Sequence, residues 1–265
     1  MPASRAREWW LRSLVTVVVL GGLGTFLLNM PGQRYDWRAI WGESGNRSLM
    51  LEGLWITLEV SFWAMVLALV LGLVGGLMRM SRRVVINQLG TIYVELVRGT
   101  PLLVQIMIVY YGFAVAMGRT FEAMGAPESV LALVQSRKVM GVLALGVFGG
   151  AYVAEIFRAA VESVDKGQRE AAIAQGMTHG QAMRFVLFPQ ALRRMVPPLA
   201  GQFVSLVKDS SLLSVISVGE LIFQSNQIRT STLSTFEVLL PLAVLYLLIT
   251  FPLSVMARRL EVRLT

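Results

Sequence analysis

Cysteine is absent from the 265 residues, which excludes disulfides, thiolate catalysis and cysteine-held metals and leaves the redox compartment unmarked. A single histidine, His179, is too few for a histidine metal cluster, and it is expected at the start of a short loop helix, solvated or touching a partner. Only three lysines occur, Lys138, Lys166 and Lys208. None follows a GxxxxGK[S/T] glycine loop, so this chain does not cradle nucleotide phosphates by that route. No grouping of nucleophile and general base suggests a membrane enzyme either. Charge is scarce too. Charged residues make up 15% against 55% hydrophobic, and the mean hydropathy is +0.64, more apolar surface than a soluble domain of this size can hide. The net charge of +8 raises nucleic acid as a partner. The basic residues, however, stand in short groups beside apolar segments, as at the cytoplasmic ends of membrane helices, and no nucleic-acid partner is expected.

What is present is a series of long apolar runs. A hydrocarbon core about 30 Å thick needs about 20 residues of helix to cross it. Six stretches approach that length: 11–30, 51–78, 101–117, 139–162, 198–222 and 236–257. The expected fold is therefore an all-α polytopic membrane protein with about six transmembrane helices. The third run is the shortest, but Thr100 and Pro101 suit an N-cap and a first helical position. Arginines and lysines assigned to the side of the N-terminus outnumber those opposite roughly two to one, which puts both termini and the polar stretch between the fourth and fifth runs in the cytoplasm. The first run follows a basic N-terminus like a signal peptide, yet no small-x-small site precedes Pro31, so a retained helix is expected. Trp37 and Trp41 in the connection after it read as interfacial anchors.

The polar stretch DKGQREAAIAQGMTHGQAMRFVLFPQ at 165–190 carries two helix starts. Asp165 with Gln168, and Thr178 with Gln181, have capping-box spacing. The first helix should stop at Gly176 and the second near Phe188, before Pro189 and the Pro197-Pro198 pair. Ala171, Ala172, Ala174 and Gly176 leave a low surface that another protein can approach, and Ile173 and Met177 add adaptable apolar contact. Lys166, Arg169 and Arg184 equally suit an amphipathic helix lying on lipid headgroups. The residues leave both readings open.

Glu170-Ala171-Ala172, then Gly176, then Val186, Phe188 and Pro189 resemble the EAA signature of permease subunits in ATP-binding cassette (ABC) importers, with Val186 and Phe188 where Ile and Leu are common. YVELVRGTPLLVQ at 93–105, AYVAEIFRAAVESVDKGQREAA at 151–172 and LVKDSSLLSVISVGEL at 206–221 resemble the polar amino acid uptake branch in the expected order. The resemblance covers most of residues 51–265. It implies a type I importer permease domain there, a five-helix core to which residues 1–50 add an N-terminal helix and its connection. It also implies that the loop 163–195 holds the coupling helix, with Glu170, Ala171, Ala172, Gly176 and Met177 docking on a cytoplasmic ATPase subunit. The implied partners are two such ATPase subunits carrying ATP and magnesium, a second permease of the same or a related chain, a solute-binding protein outside the membrane, and a polar or charged amino acid. The implied location is a bacterial inner membrane. No cofactor is expected in this chain.

Ionisable groups inside a membrane need a partner or water. Glu95 and Arg98, and Glu155 and Arg158, stand three apart on one helix face. Both pairs fit helix ends near the cytoplasmic interface, but Glu155 follows Gly149, Gly150, Ala151 and Tyr152, where missing side chains would admit a small ligand. Glu155 and Tyr152 are thus candidates for solute contact. Lys208, Asp209, Ser210 and Ser211 interrupt the fifth run and should face the pathway or the second permease. Thr100 and Gln105 are candidates for lining the same cavity, or for helix packing. Glu59 should face the bundle interior. Gly72, Gly75 and Gly76 are expected to serve close helix packing. A self-contained ion-coupled transporter or channel is the alternative function, and it would require repeated halves with broken helices. The only hint of repetition is YVELVR against YVAEIFR.

Overall fold

The computed structural model describes residues 42–264, with side chains to residue 260, and a few scattered earlier positions. The span expected at 11–30 and Trp41 lie largely or wholly outside the described residues. From residue 44 onward the described residues form nine helices and no strand. They are α1 (Ser44–Arg79), α2 (Val84–Gly99), α3 (Leu102–Ala123), α4 (Glu128–Gln135), α5 (Arg137–Glu162), α6 (Lys166–Ala174), α7 (His179–Ile216), α8 (Leu221–Thr232) and α9 (Phe236–Leu264). Five of them, α1, α3, α5, α7 and α9, are long and apolar enough to cross a membrane.

α1 starts seven residues earlier than its apolar run suggests. At about 1.5 Å per residue its 36 residues extend roughly 54 Å, so its first turns stand beyond the hydrocarbon. There Met50 packs with Leu221, Ile228, Val238 and Leu242. The α1–α5 pair is the spine of the molecule and is built on glycine. A Cβ added at Gly72 would meet Val153 Cβ at 2.4 Å, and one at Gly76 would meet Phe157 Cδ1 at 2.5 Å. The expected packing role of Gly72, Gly75 and Gly76 is what the structure has, since small residues let backbones approach inside a membrane. A second layer of Val60, Leu102, Ile106, Leu145, Leu206 and Leu213 joins α1, α3, α5 and α7.

α3 begins one residue later than expected. Pro101 is the N-cap, while the Thr100 hydroxyl donates back to the Leu96 carbonyl at 2.9 Å. A π-helical segment, Ile108–Ala114, lies in its middle. The second loop helix does not end near Phe188. It continues as α7 through Pro189, Pro197 and Pro198 to Ile216. A π-helical turn at Met183–Leu187 immediately precedes Pro189, and this widening takes up the missing N–H and the ring clash that would otherwise break the helix. The helix tightens to 3-10 geometry at Ser210–Ile216 and closes on Ser217 in the left-handed conformation, φ 58°. The polar interruption at 208–211 is therefore a change of helix type. The fifth run ends at 216, and Leu221 opens a separate helix.

Candidate functional site

The elbow between α5 and α7 is fixed at every joint. Asp165 caps α6 as expected, its carboxylate accepting from Gly167 N at 2.7 Å. The reciprocal bond from Gln168 is absent, because that side chain accepts from Gln190 Nε2 on α7 at 3.3 Å instead. Gly176 N donates to the Ile173 carbonyl at 2.9 Å and Met177 N to the Ala172 carbonyl at 3.1 Å. That pair of bonds is the Schellman closure, which needs a left-handed residue, and Gly176 supplies it at φ 85°. Thr178 and Gln181 make the full capping box at the start of α7. Arg194 then ties α7 to the Ser163 carbonyl and hydroxyl. Beneath the elbow, Phe157, Val161, Val164, Leu187, Ala191 and Met195 form a buried cluster. α6 is thus tied to the ends of two spans.

Of the residues expected to dock, Glu170, Ala171 and Gly176 are exposed, Met177 is half-buried and Ala172 is buried. Ala172 therefore packs inward, and the low outer surface comprises Ala171, Ala174 and Gly176, with Ile173 partly exposed. A side chain at Gly176 would meet nothing within 4 Å.

The residues expected along a solute path fall into four groups, and no hydrogen bond or ion pair among the described residues joins one group to another. Gln105 donates to the Val97 carbonyl at 2.7 Å and to the Thr100 hydroxyl at 2.8 Å, so it satisfies the end of α2 and clamps it to α3. Tyr152 packs on Phe148, with the Arg98 guanidinium 5.0 Å from its ring centroid. Arg98 accordingly makes no ion pair with Glu95. Glu155 binds Arg79 at the end of α1 and Arg158 at 2.5 Å, and Arg158 reaches Glu162 at 2.5 Å. The space that Gly149 and Gly150 were expected to open for a ligand is filled. Added Cβ atoms there would meet Leu206 and Ala68 at 3.1–3.2 Å and Tyr93 Oη at 2.6 Å. The four-residue charge cluster braces α1 against α5 at the elbow end.

Lys208, Asp209 and Ser210 lie about halfway along the spans, because neighbouring Leu206 packs on Gly149 in the middle of α5. Lys208 is exposed into a cavity of about 320 Å³ lined also by Gly201, Ser205, Ser254 and Arg258. Asp209 is half-buried, and Ser210 is buried with its hydroxyl donating to the Val207 carbonyl at 2.9 Å. Glu59 pairs with Lys138 at 2.5 Å, fixing α1 to the start of α5 at the end away from the elbow.

Two residues escaped the sequence reading. Arg79 had no visible partner, because Glu155 is 76 positions away. Glu220 is fully buried; its carboxylate accepts from Ile222 N and Phe223 N, both at 2.8 Å, and from the Tyr246 hydroxyl at 3.2 Å. Burial pushes this carboxyl up to about 7. A carboxylate directly before an apolar run was the one available signal, but Glu is not a favoured cap.

Five helices long and apolar enough to cross a membrane and an exposed, capped elbow thus stand among the described residues. The family described as binding-protein-dependent transport system inner membrane component matches residues 64–265. The chain belongs to that family. The permease is 37% identical over 231 residues to the glutamine transport system permease protein GlnP of Escherichia coli K12, covering 87% of this chain and 98% of that one. It is 34% identical to the L-cystine transport system permease protein TcyB of Bacillus subtilis, over 90% and 97% of the two chains, and 31% identical to the arginine transport system permease protein ArtQ of the same species, over 81% and 92%. Among solved structures, a chain of an amino acid ABC transporter crystallised with histidines matches with a TM-score of 0.73 and 34% identity, over 87% of this chain and all of that one. A methionine ABC transporter, MetNI, in an inward-facing conformation shares the fold at TM-score 0.63 and 22% identity.

Proposed function

We propose that this permease forms half of the translocation path of an ATP-driven importer for a polar or charged amino acid, received from a solute-binding protein outside a bacterial inner membrane. The observation that carries the reading is the elbow: a capped, low-surfaced helix bolted through Asp165, Gly176, Thr178 and Arg194 to the ends of α5 and α7. In this reading Glu170, Ala171, Gly176 and Met177 meet a cleft of an ATPase subunit, with Ala172 packing the helix onto its own chain. ATP and magnesium belong to a pair of such subunits. Their closure draws the elbows of two permeases together, either two copies of this chain or one copy and a related subunit. Because α6 cannot slide against α5 and α7, the spans tilt with it and the path opens to the outside. Hydrolysis then resets it.

The relatives' glutamine, arginine and cystine systems support an amino acid as the solute. Lys208 and Asp209, adjacent opposite charges at mid-depth with Lys208 on a cavity that also holds Ser205 and Ser254, suit a zwitterion, with Ser210 shaping the helix behind them and Tyr152 nearer the elbow. Thr100, Gln105 and Glu155 act as braces. Both termini lie in the cytoplasm, following the excess of basic residues at the elbow end. The test is uptake into vesicles holding the chain with its ATPase and binding protein, screened across acidic, basic and amide amino acids. ATP-dependent uptake of one class is expected, and equal uptake without the ATPase would refute the reading.

A further inference from the structure

A cavity of about 600 Å³ opens under the elbow, between the turn after α1, the end of α5, α6 and the first turn of α7. Its floor is apolar, formed by Met80, Val161, Val164, Met183 and Leu187. Its rim carries Arg82, Lys166 and Arg169, all exposed, and none has a hydrogen-bond or ion-pair partner among the described side chains. The two acids on the same rim are already engaged. Glu162 holds Arg158, and Asp165 caps α6. The cavity is therefore cationic above and apolar below.

We propose that this cavity binds one anionic phospholipid, its phosphate between Arg82, Lys166 and Arg169 and the start of an acyl chain on Val161, Met183 and Leu187. The position suits it, since the cavity lies at the ends of α1 and α5, two of the helices long and apolar enough to cross a membrane, and cations close to a membrane surface attract the anionic lipids of the leaflet. A free phosphate would use the rim but leave the floor in water, and a zwitterionic lipid would offer the same phosphate and acyl chain but bring its own ammonium group to a rim that already holds three cations. An acidic protein segment would meet the cations with no need of the apolar floor. The lipid would rest against the elbow on its membrane side, so that the charge of the leaflet bears on the element proposed to couple transport. The inference needs this end of the chain to lie at the lipid surface, and lipid retention is read first on the chain alone, so that its failure and failure of the coupling reading are distinguishable.

The experiment is native mass spectrometry of the purified full chain titrated with phosphatidylglycerol, phosphatidylcholine or glycerol phosphate. One phosphatidylglycerol should be retained per chain, at least about tenfold more tightly than phosphatidylcholine, with glycerol phosphate a weak competitor. The triple variant Arg82→Gln, Lys166→Gln, Arg169→Gln should lose that preference, whereas Arg258→Gln with Arg259→Gln, at the far end of α9, should keep it. A photoreactive phosphatidylglycerol should label Val161, Met183 or Leu187 in the unaltered chain, which needs no variant to fold. Equal retention of the two lipids, unchanged retention by the triple variant, or labelling confined to α9 would overturn the proposal. Loss of the lipid on adding the ATPase subunit, with the three cations protected by that subunit, would overturn it in favour of an acidic protein surface.

Discussion

Replacing Gly72 by alanine should weaken the α1–α5 spine, and the geometry says by how much. The new Cβ would lie 2.4 Å from both Val153 Cβ and Val153 Cγ1 and 3.0 Å from Ala154 N. Ordinary carbon contacts lie at about 3.5–4.0 Å, so the helices must part by about 1 Å. Val153 cannot swing clear, because its Cβ is fixed by the backbone. Overpacking of this kind costs about 1–3 kcal/mol, and the upper half applies where the obstacle is rigid. Against it stands the gain of up to about 1 kcal/mol for alanine over glycine in a helix. A net loss of about 1–2 kcal/mol is expected. Two controls isolate the cause. Gly201→Ala, with nothing within 4 Å of its added Cβ, should be neutral or slightly stabilising. Val153→Ala should rescue Gly72→Ala less than Val153→Gly does, since it removes Cγ1 but keeps the equally close Cβ. The assay is helix loss on titration with a denaturing detergent. Gly72→Ala as stable as Gly201→Ala would refute the reasoning, as would rescue by Val153→Ala equal to that by Val153→Gly.

Glu220 makes stability depend on pH. Its folded carboxyl, at about 7, lies above the usual 4.5, so the folded state favours the proton. Stability should fall by on the order of 3 kcal/mol as pH rises from about 4.5 to 7 and then level off, and Glu220→Gln should flatten that slope in melts at stepped pH; an unchanged slope would remove Glu220 as its source. Glu155→Gln should cost about 1–2 kcal/mol, because it removes the ion-pair partner of Arg79 and one of the two of Arg158, yet leave the solute concentration for half-maximal uptake unchanged. A large rise in that concentration at normal stability would instead return Glu155 to the solute path. Lys208→Gln and Asp209→Asn should each lower uptake at least about tenfold, a charge-assisted hydrogen bond being worth about 1.5–3 kcal/mol, without loosening the ATPase subunit, and normal uptake by both would exclude them from the path.

The features legible from residue order were those that act locally. Thr178 with Gln181 announced a helix start because the cap closes within four residues, and Gly176 announced its stop because left-handed backbone selects glycine. Spans were visible from their length, and the packing glycines from their spacing in an apolar helix. Hidden were the facts that need a distant partner. Arg79 meets Glu155 only once α1 lies along α5, and this meeting engages the favoured solute contact in ion pairs. Gly149 and Gly150, read as an opening for a ligand, are filled by Leu206, Ala68 and Tyr93 from three other helices. Pro189 read as a helix end because proline usually is one, but a π turn just before it carries α7 onward. Glu220 stayed unnoticed because a buried carboxylate is costly without its two amides and a tyrosine, all of which belong to the fold.

The central claim is that work done by an ATPase enters this permease through the 165–181 elbow. The most direct measurement is the amount of amino acid moved per ATP hydrolysed in vesicles, comparing Gly176→Leu with Gly176→Asn. Asparagine tolerates the left-handed backbone and adds a modest polar group, whereas leucine both resists that conformation and raises a bulk where open surface stands. The account predicts that Gly176→Leu inserts normally and leaves the ATPase subunits hydrolysing ATP but moves little solute, with Gly176→Asn far closer to the unaltered chain. Full transport per ATP in Gly176→Leu would contradict it.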